Sequence, residues 1–173
     1  MKNSGVTLTE LAVVVAIIGI VIIAVGFSFQ GWAARYNVEK QIKEMHTDLM
    51  EAKAKAMSKS RVYFISLAAG QYIVYEDTDP APDGNGVLTT ASDTVRLTKS
   101  LDTSYPITWD GAATVEFNTR GLAAGGEQTI CSNTTADADY NCIVISDSRI
   151  NLGQLTTFIP SGGVCGTANC IQK

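Results

Sequence analysis

Three sets of residues in this sequence have types and spacing that could do chemistry. The first is one carboxylate, Glu10, in the stretch Gly5 to Phe29, which reads G-V-T-L-T-E-L-A-V-V-V-A-I-I-G-I-V-I-I-A-V-G-F-S-F. From Leu11 to Phe29 there is no charge and no proline. A carboxylate deep in a bilayer costs roughly 2.5–3.5 kcal/mol, so it either snorkels to the interface or has a named partner. Before the apolar run lies a short polar leader, Met1 to Gly5, with one cation, Lys2. An ordinary secretory signal places its small cleavage-site residue after the apolar core. Here the small residue, Gly5, precedes it. A cut after Gly5 would leave the apolar segment on the mature chain, which would begin with a charged amine at Val6.

The second set is four cysteines, Cys131, Cys142, Cys165 and Cys170, all in the last third of the chain. An even number in an exported domain favours disulfides. Three pairings are open. Cys131–Cys142 with Cys165–Cys170 is the expected one, because each closes a short loop rich in Gly or Asn/Asp turn residues. A zinc site is disfavoured. There is no C-x-x-C spacing, and the one histidine, His46, lies on a helix far from the cysteines, where it reads as a helix-surface or core-edge residue.

The third set is the acidic loop Asp77 to Gly86. Asp77, Asp79 and Asp83 could offer oxygens to calcium, but an EF-hand would want a ligand at Ala81 and glycine at Pro82. A solvated turn is the expectation, as it is for Asp137 and Asp139. No other cofactor is expected, and neither is an enzyme. No histidine follows His46, no G-x-S-x-G occurs, and no glycine-rich phosphate loop follows a strand.

The elements that must position these residues divide the chain into an anchor and one domain, in keeping with its 173 residues. Val6 to Phe29 as a helix is about 36 Å long, enough for a hydrocarbon core of about 30 Å. Val38, Ile42, Met45, Leu49, Ala52 and Ala56 recur at helical spacing and form one apolar stripe. Glu39–Lys43 and Glu51–Lys55 are favourable i,i+4 pairs. One helix of about 80 Å is therefore expected from Val6 to near Ser60, transmembrane over 6–29 and amphipathic over 30–60. Gly19 and Gly26 are its weak points. From residue 61 to 173 a β-rich domain is expected. Val62–Leu67 and Gln71–Glu76 form a hairpin about Ala68-Ala69-Gly70. Further strands are expected at Thr94–Leu101, Ile107–Trp109, Thr114–Asn118, Thr129–Cys131, Cys142–Ser146 and Leu155–Ile159. No βαβ rhythm appears, so the fold class is α+β, with a mainly antiparallel sheet against the helix stripe. The domain is acidic, its cations Arg61, Arg96, Lys99, Arg120, Arg149 and Lys173 being well outnumbered by carboxylates. That argues against a nucleic-acid partner.

Lys2, Gly5, Thr7-Leu8-Thr9-Glu10-Leu11 and the apolar run resemble the class III leader of type IV pilins and type II secretion pseudopilins. The resemblance implies a pilin fold. It implies cleavage between Gly5 and Val6 by a prepilin peptidase, with methylation of the new N-terminus. It implies a helix that leaves the lipid bilayer for a filament core through Leu8, Glu10 and Leu11, with Glu10 partnered by the Val6 ammonium of its own or a neighbouring subunit. The implied partners are other pilin or pseudopilin subunits, the peptidase and an inner-membrane assembly platform. The implied location is the bacterial inner membrane, with the C-terminal domain outside the cytoplasm, and then the filament. The family usually has Phe or Met at Val6, an apolar residue at Thr9 and a proline near Phe27, and these departures point to a minor subunit. Val115 to Ala123, with Phe117, Asn118, Arg120 and Gly121, resembles the F-N-x-R-G segment of the GspH/FimT group. Ile143–Ser146 with Ser148-Arg149-Ile150 resembles that group's closing strand and turn. Asn118 to Gly121 is equally a plain turn after a strand. Some members of that group bind DNA through a basic tail, which this chain lacks. The other alternative is a plain single-pass membrane protein with an exported β-domain.

Overall fold

The computed structural model describes residues 7–173, and of residues 23–28 and 30 within the helix it describes the backbone alone. Gly5 and Val6 therefore lie outside the described residues. Helix α1 runs Leu8–Lys59, 52 residues, or about 78 Å. It starts at Thr7, whose hydroxyl accepts from the Glu10 N–H. It stops at Ser60, which turns left-handed at φ 54°. There its N–H reaches Ala56 O, to which Arg61 N also donates.

Ten strands follow: β1 Tyr63–Ala68, β2 Gln71–Glu76, β3 Thr94–Ser100, β4 Ile107–Trp109, β5 Thr114–Phe117, β6 Ala123–Ala124, β7 Gln128–Ser132, β8 Cys142–Ile145, β9 Ile150–Leu155 and β10 Cys170–Gln172. A 3₁₀ turn, Ile159–Ser161, precedes the last. The first hairpin is tighter than expected, since Ala68 pairs with Gln71 and only Ala69 and Gly70 form the turn. The strand expected at Leu155–Ile159 is instead β9, ending where that stretch was to begin.

Where one sheet was expected there are two, each of five strands, in the orders β3-β2-β1-β5-β6 and β10-β9-β8-β7-β4. Every strand pairing is antiparallel. The helix lies against β1 and β5 of the first sheet and β8 and β9 of the second. All six residues of the predicted stripe, Val38, Ile42, Met45, Leu49, Ala52 and Ala56, are buried there with Tyr63, Ile65, Phe117, Ile143 and Ile145. Burying the larger of these side chains, Val38, Ile42, Met45 and Leu49 among them, is worth roughly 1.5–3 kcal/mol each, so the stripe and the sheet faces opposite it hold the domain to the helix.

Strand β8 is buried at all four positions, which a one-sided sheet would not produce. Ile143 and Ile145 face the helix core. Cys142 and Val144 belong to a smaller cluster with Cys131, Leu155 and Cys170, against which Ile159 and Cys165 pack. The C-terminal segment thus covers the outer face of the second sheet, and the disulfides fasten it there.

The bonds are Cys131–Cys165 and Cys142–Cys170, which overturns the expected local pairing. Cys131 and Cys142 are direct partners in the β7–β8 register, so both point to the outer face. Each is taken by a sulfur from the segment laid over that face. Cys142–Cys170 links β8 to β10 across the intervening β9, and it crosses at Gly153. A Cβ on Gly153 would lie 2.7 Å from Cys170 Sγ and 2.7 Å from Ile171 O. The missing side chain is the gap through which the bridge passes.

The acidic loop is also corrected. Asp77 is buried rather than solvated. Its oxygens accept from Asn85 N at 3.2 Å and Gly86 N at 2.6 Å, and Gly84, at φ 79°, passes so close that no Cβ would fit. Asp93 does the same work next door, accepting from Thr78 N at 3.0 Å and Thr89 N at 2.7 Å. Asp79 accepts from Ser92 Oγ at 2.9 Å. The three aspartates considered for calcium are therefore divided between backbone, hydroxyl and solvent. Among the described residues, no group of three His, Cys, Asp or Glu side chains converges as a metal site.

Candidate processing and assembly site

Among the residues whose side chains are described, those from Leu8 to Ile22 in α1 are all exposed. Leu8, Leu11, Val13, Val15, Ile17, Ile20 and Ile22 each expose more than half of their surface. Such a row of β-branched and leucine side chains is far too large to be an ordinary surface patch. Among the described residues no helix is long and apolar enough to cross a membrane. The stretch expected to do so, 6–29, contains Val6 and residues 23–28, which are outside the residues or side chains described.

At the head of this helix, Thr7 and Glu10 form a reciprocal contact. Glu10 N donates to Thr7 Oγ1 at 3.3 Å, and Thr7 Oγ1 donates to Glu10 Oε2 at 3.4 Å. Thr9 Oγ1 lies 3.2 Å from the same hydroxyl. The carboxylate therefore leans back over the start of the helix, where the unpaired N–H groups and the helix dipole favour negative charge. The T-x-x-E spacing of Thr7 and Glu10 is the signal of a capping box, and it adds a helix-capping role to Thr7, which the sequence places only within the leader motif. Leu8, Glu10 and Leu11 share the first exposed turns of the helix. The expected amine partner of Glu10, at Val6, is not among the described residues.

The other predicted residues lie elsewhere. Cys131, Cys142 and Cys170 lie in strands of the second sheet, and Cys165 lies in the segment that leads into β10. Phe117 is buried in the core, and Asn118 makes a closed turn, its Oδ1 accepting from Arg120 N at 2.9 Å and Leu122 N at 3.0 Å. Gly121, at φ 72°, rests so near Met57 that a Cβ would come within 2.7 Å of its Cγ. The Asp147–Arg149 turn joins this one through Ala123 N to Asp147 O at 2.8 Å, and Lys53 donates to Ser148 O. Two segments distant in sequence thus meet on the C-terminal part of α1. His46 fills the core-edge role expected of it, its Nε2 lying 3.1 Å from Ile150 O.

The strongest electrostatic centre is Glu76, only 3% exposed. Its Oε2 accepts from Tyr63 Oη at 2.6 Å, Arg96 Nε at 2.6 Å and Lys59 Nζ at 2.8 Å, while Arg61 Nη1 stands 3.7 Å from Oε1. Burial alone would push its carboxyl up. The hydrogen bonds from Lys59, Tyr63 and Arg96 outweigh that and hold it at about 2. Burial and the bond to Glu76 push the Tyr63 phenol above its ordinary value. Tyr72 is raised in the same way by burial and by its bond to Asp48. These groups tie the end of the helix to the first sheet.

Residues 1–26 match the family model described as the prokaryotic N-terminal methylation motif. No curated protein and no solved structure matches the chain. The motif is that of the type IV pilin and pseudopilin superfamily. It implies processing by a prepilin peptidase, anchoring at the inner membrane and assembly with pilin subunits, and it marks structural subunits rather than enzymes.

Proposed function

We propose that this chain is a minor pilin or pseudopilin of the GspH/FimT kind, working at or near the tip of a type IV pilus or type II secretion pseudopilus, or in the complex that initiates one. The observation that carries the reading is the division of one 52-residue helix. Its second half is the spine of a folded domain, and its first half is apolar in sequence, exposed from Leu8 to Ile22 and headed by the methylation motif. Such a helix needs an apolar surrounding outside its own chain, first lipid and then the neighbouring helices of a filament. Cleavage after Gly5 leaves Val6 as a charged amine beside Glu10, and the pair sets the axial register between subunits. The disulfides suit a domain outside the cytoplasm. Departures at Val6 and Thr9, the absence of a proline near Phe27 and the meeting of the 117–123 and 143–150 segments support the minor-subunit reading.

Mass spectrometry of the N-terminus, in membranes and in sheared filaments, tests this. A chain beginning at methylated Val6 in the filament fraction is expected. An intact Met1 throughout the mature pool would overturn the reading. Glu10→Ala is expected to be cleaved normally but to fall in filaments on the order of tenfold, the effect of about 1.4 kcal/mol of lost pairing. Incorporation at the unmutated level would remove Glu10 from the mechanism.

A further inference from the structure

Beyond the matched residues 1–26, α1 carries three large aromatics on one stripe, Phe29, Trp32 and Tyr36. Each is more than half exposed, at 61%, 61% and 57%. They contact one another in sequence. The Phe29 and Trp32 ring centroids are 5.7 Å apart, and those of Trp32 and Tyr36 are 5.8 Å apart and nearly parallel. The neighbouring Ala33 and Ala34 are half-buried, and among the described residues Val38 is the first of the helix to be fully buried. The aromatics therefore ride on the side of the helix that the domain leaves open.

Their level along the helix is what identifies the occupant. From Leu11 to Ala34 there is no charged residue, and the first, Arg35, falls between Trp32 and Tyr36. Leu11 to Trp32 spans about 32 Å of helix, close to the hydrocarbon thickness of about 30 Å. With Glu10 at one boundary, the other falls at the aromatic stripe. Trp and Tyr are enriched at that depth because their rings are apolar while their N–H and O–H can bond headgroup oxygens. The base of the domain is at the same level, where Arg35 Nη2 lies 3.8 Å from Asp137 Oδ2.

We infer that Phe29, Trp32 and Tyr36 form a lipid-interface anchor that fixes how deep the subunit sits before assembly, with the domain base against the headgroups. This rests on the membrane-inserted reading above. The test uses the full chain with Trp109→Phe, which leaves Trp32 as the sole tryptophan. It is reconstituted into phosphatidylethanolamine/phosphatidylglycerol vesicles whose acyl chains carry bromine either near the carbonyls or near the bilayer centre. Trp32 emission should be blue-shifted from that of the unfolded chain and quenched most by the shallow bromines. In the otherwise unmutated chain, Trp32→Phe should remove the shallow-quenched component and leave that of Trp109, which guards against a folding defect in the first variant. Absence of quenching in a chain that floats with the vesicles would overturn the anchor and leave the membrane reading standing. Strongest quenching at the bilayer centre would do the same. A blue shift that vanishes on dilution into excess lipid would assign the stripe to a second copy of the chain instead. Failure to float would overturn both readings.

Discussion

Replacing Cys142 and Cys170 together by alanine is expected to destabilise the domain by about 4 kcal/mol. The bond closes a loop with a sequence separation of 28, and chain-entropy arithmetic for a loop of that size gives this magnitude. The bridge also holds β10 to β8 over β9, and it pins the C-terminal segment that buries Cys131, Val144 and Leu155. Its loss should loosen the outer layer before the helix-facing core. Denaturant unfolding gives the energy, and hydrogen exchange over residues 150–173 should report the early opening. A single cooperative transition with an unchanged midpoint would show that the bridge is dispensable. Gly153→Ala gives an independent check with both cysteines intact. The added methyl would press on Cys170 Sγ and Ile171 O, and overpacking of this kind costs about 1–3 kcal/mol.

The second large effect is at Glu76. Its carboxyl is held at about 2 in the folded chain against an ordinary value of 4.5. The sign follows from that depression. The contribution is fully present above about pH 4.5, and it is lost as pH falls from there toward 2. A difference of this size corresponds to about 3 kcal/mol. Glu76→Gln keeps the shape but removes the charge that Lys59, Arg61 and Arg96 share. It should lower stability by about 3 kcal/mol at neutral pH and flatten the acid limb of a plot of melting temperature against pH. Parallel curves for the two proteins between pH 5 and 2 would rule Glu76 out as the acid-sensitive group. Glu116 works in the opposite sense. Burial, and then the charge of Asp77, push its carboxyl up. Its cost is present at neutral pH and is relieved as pH falls through its folded value. A Glu116→Gln variant therefore separates the two contributions.

The helix was the most legible part of the sequence because its information is local. The spacing of Val38, Ile42, Met45, Leu49, Ala52 and Ala56 identifies a buried face without reference to any partner. The charge-free run after Glu10 identifies a segment that must find its apolar surroundings elsewhere. Most strands were legible for the same reason, since β-branched and aromatic runs between turn residues announce themselves. The T-x-x-E of Thr7 and Glu10 is equally local, a capping spacing that needs no tertiary partner.

What the sequence could not supply was everything that depends on strand order. Residues with the same alternation can enter one sheet or two, and the choice depends on which faces the single helix and the C-terminal segment cover. The buried state of Asp77 follows from a loop that closes on itself, so its composition, which reads as solvated, misleads. The cysteine pairing turned on which side of the second sheet each sulfur faced, and separation along the chain carries no information about that. Gly153 is the clearest case. In sequence it is a glycine just ahead of the strand expected at Leu155–Ile159, and in the fold it lies within β9 as the opening through which Cys142 reaches Cys170. Local periodicity thus determined the helix, its bare half and its motif. Only the packing of two sheets and a covering segment against that helix decided the bridges, the buried carboxylates and the face left open at Phe29, Trp32 and Tyr36.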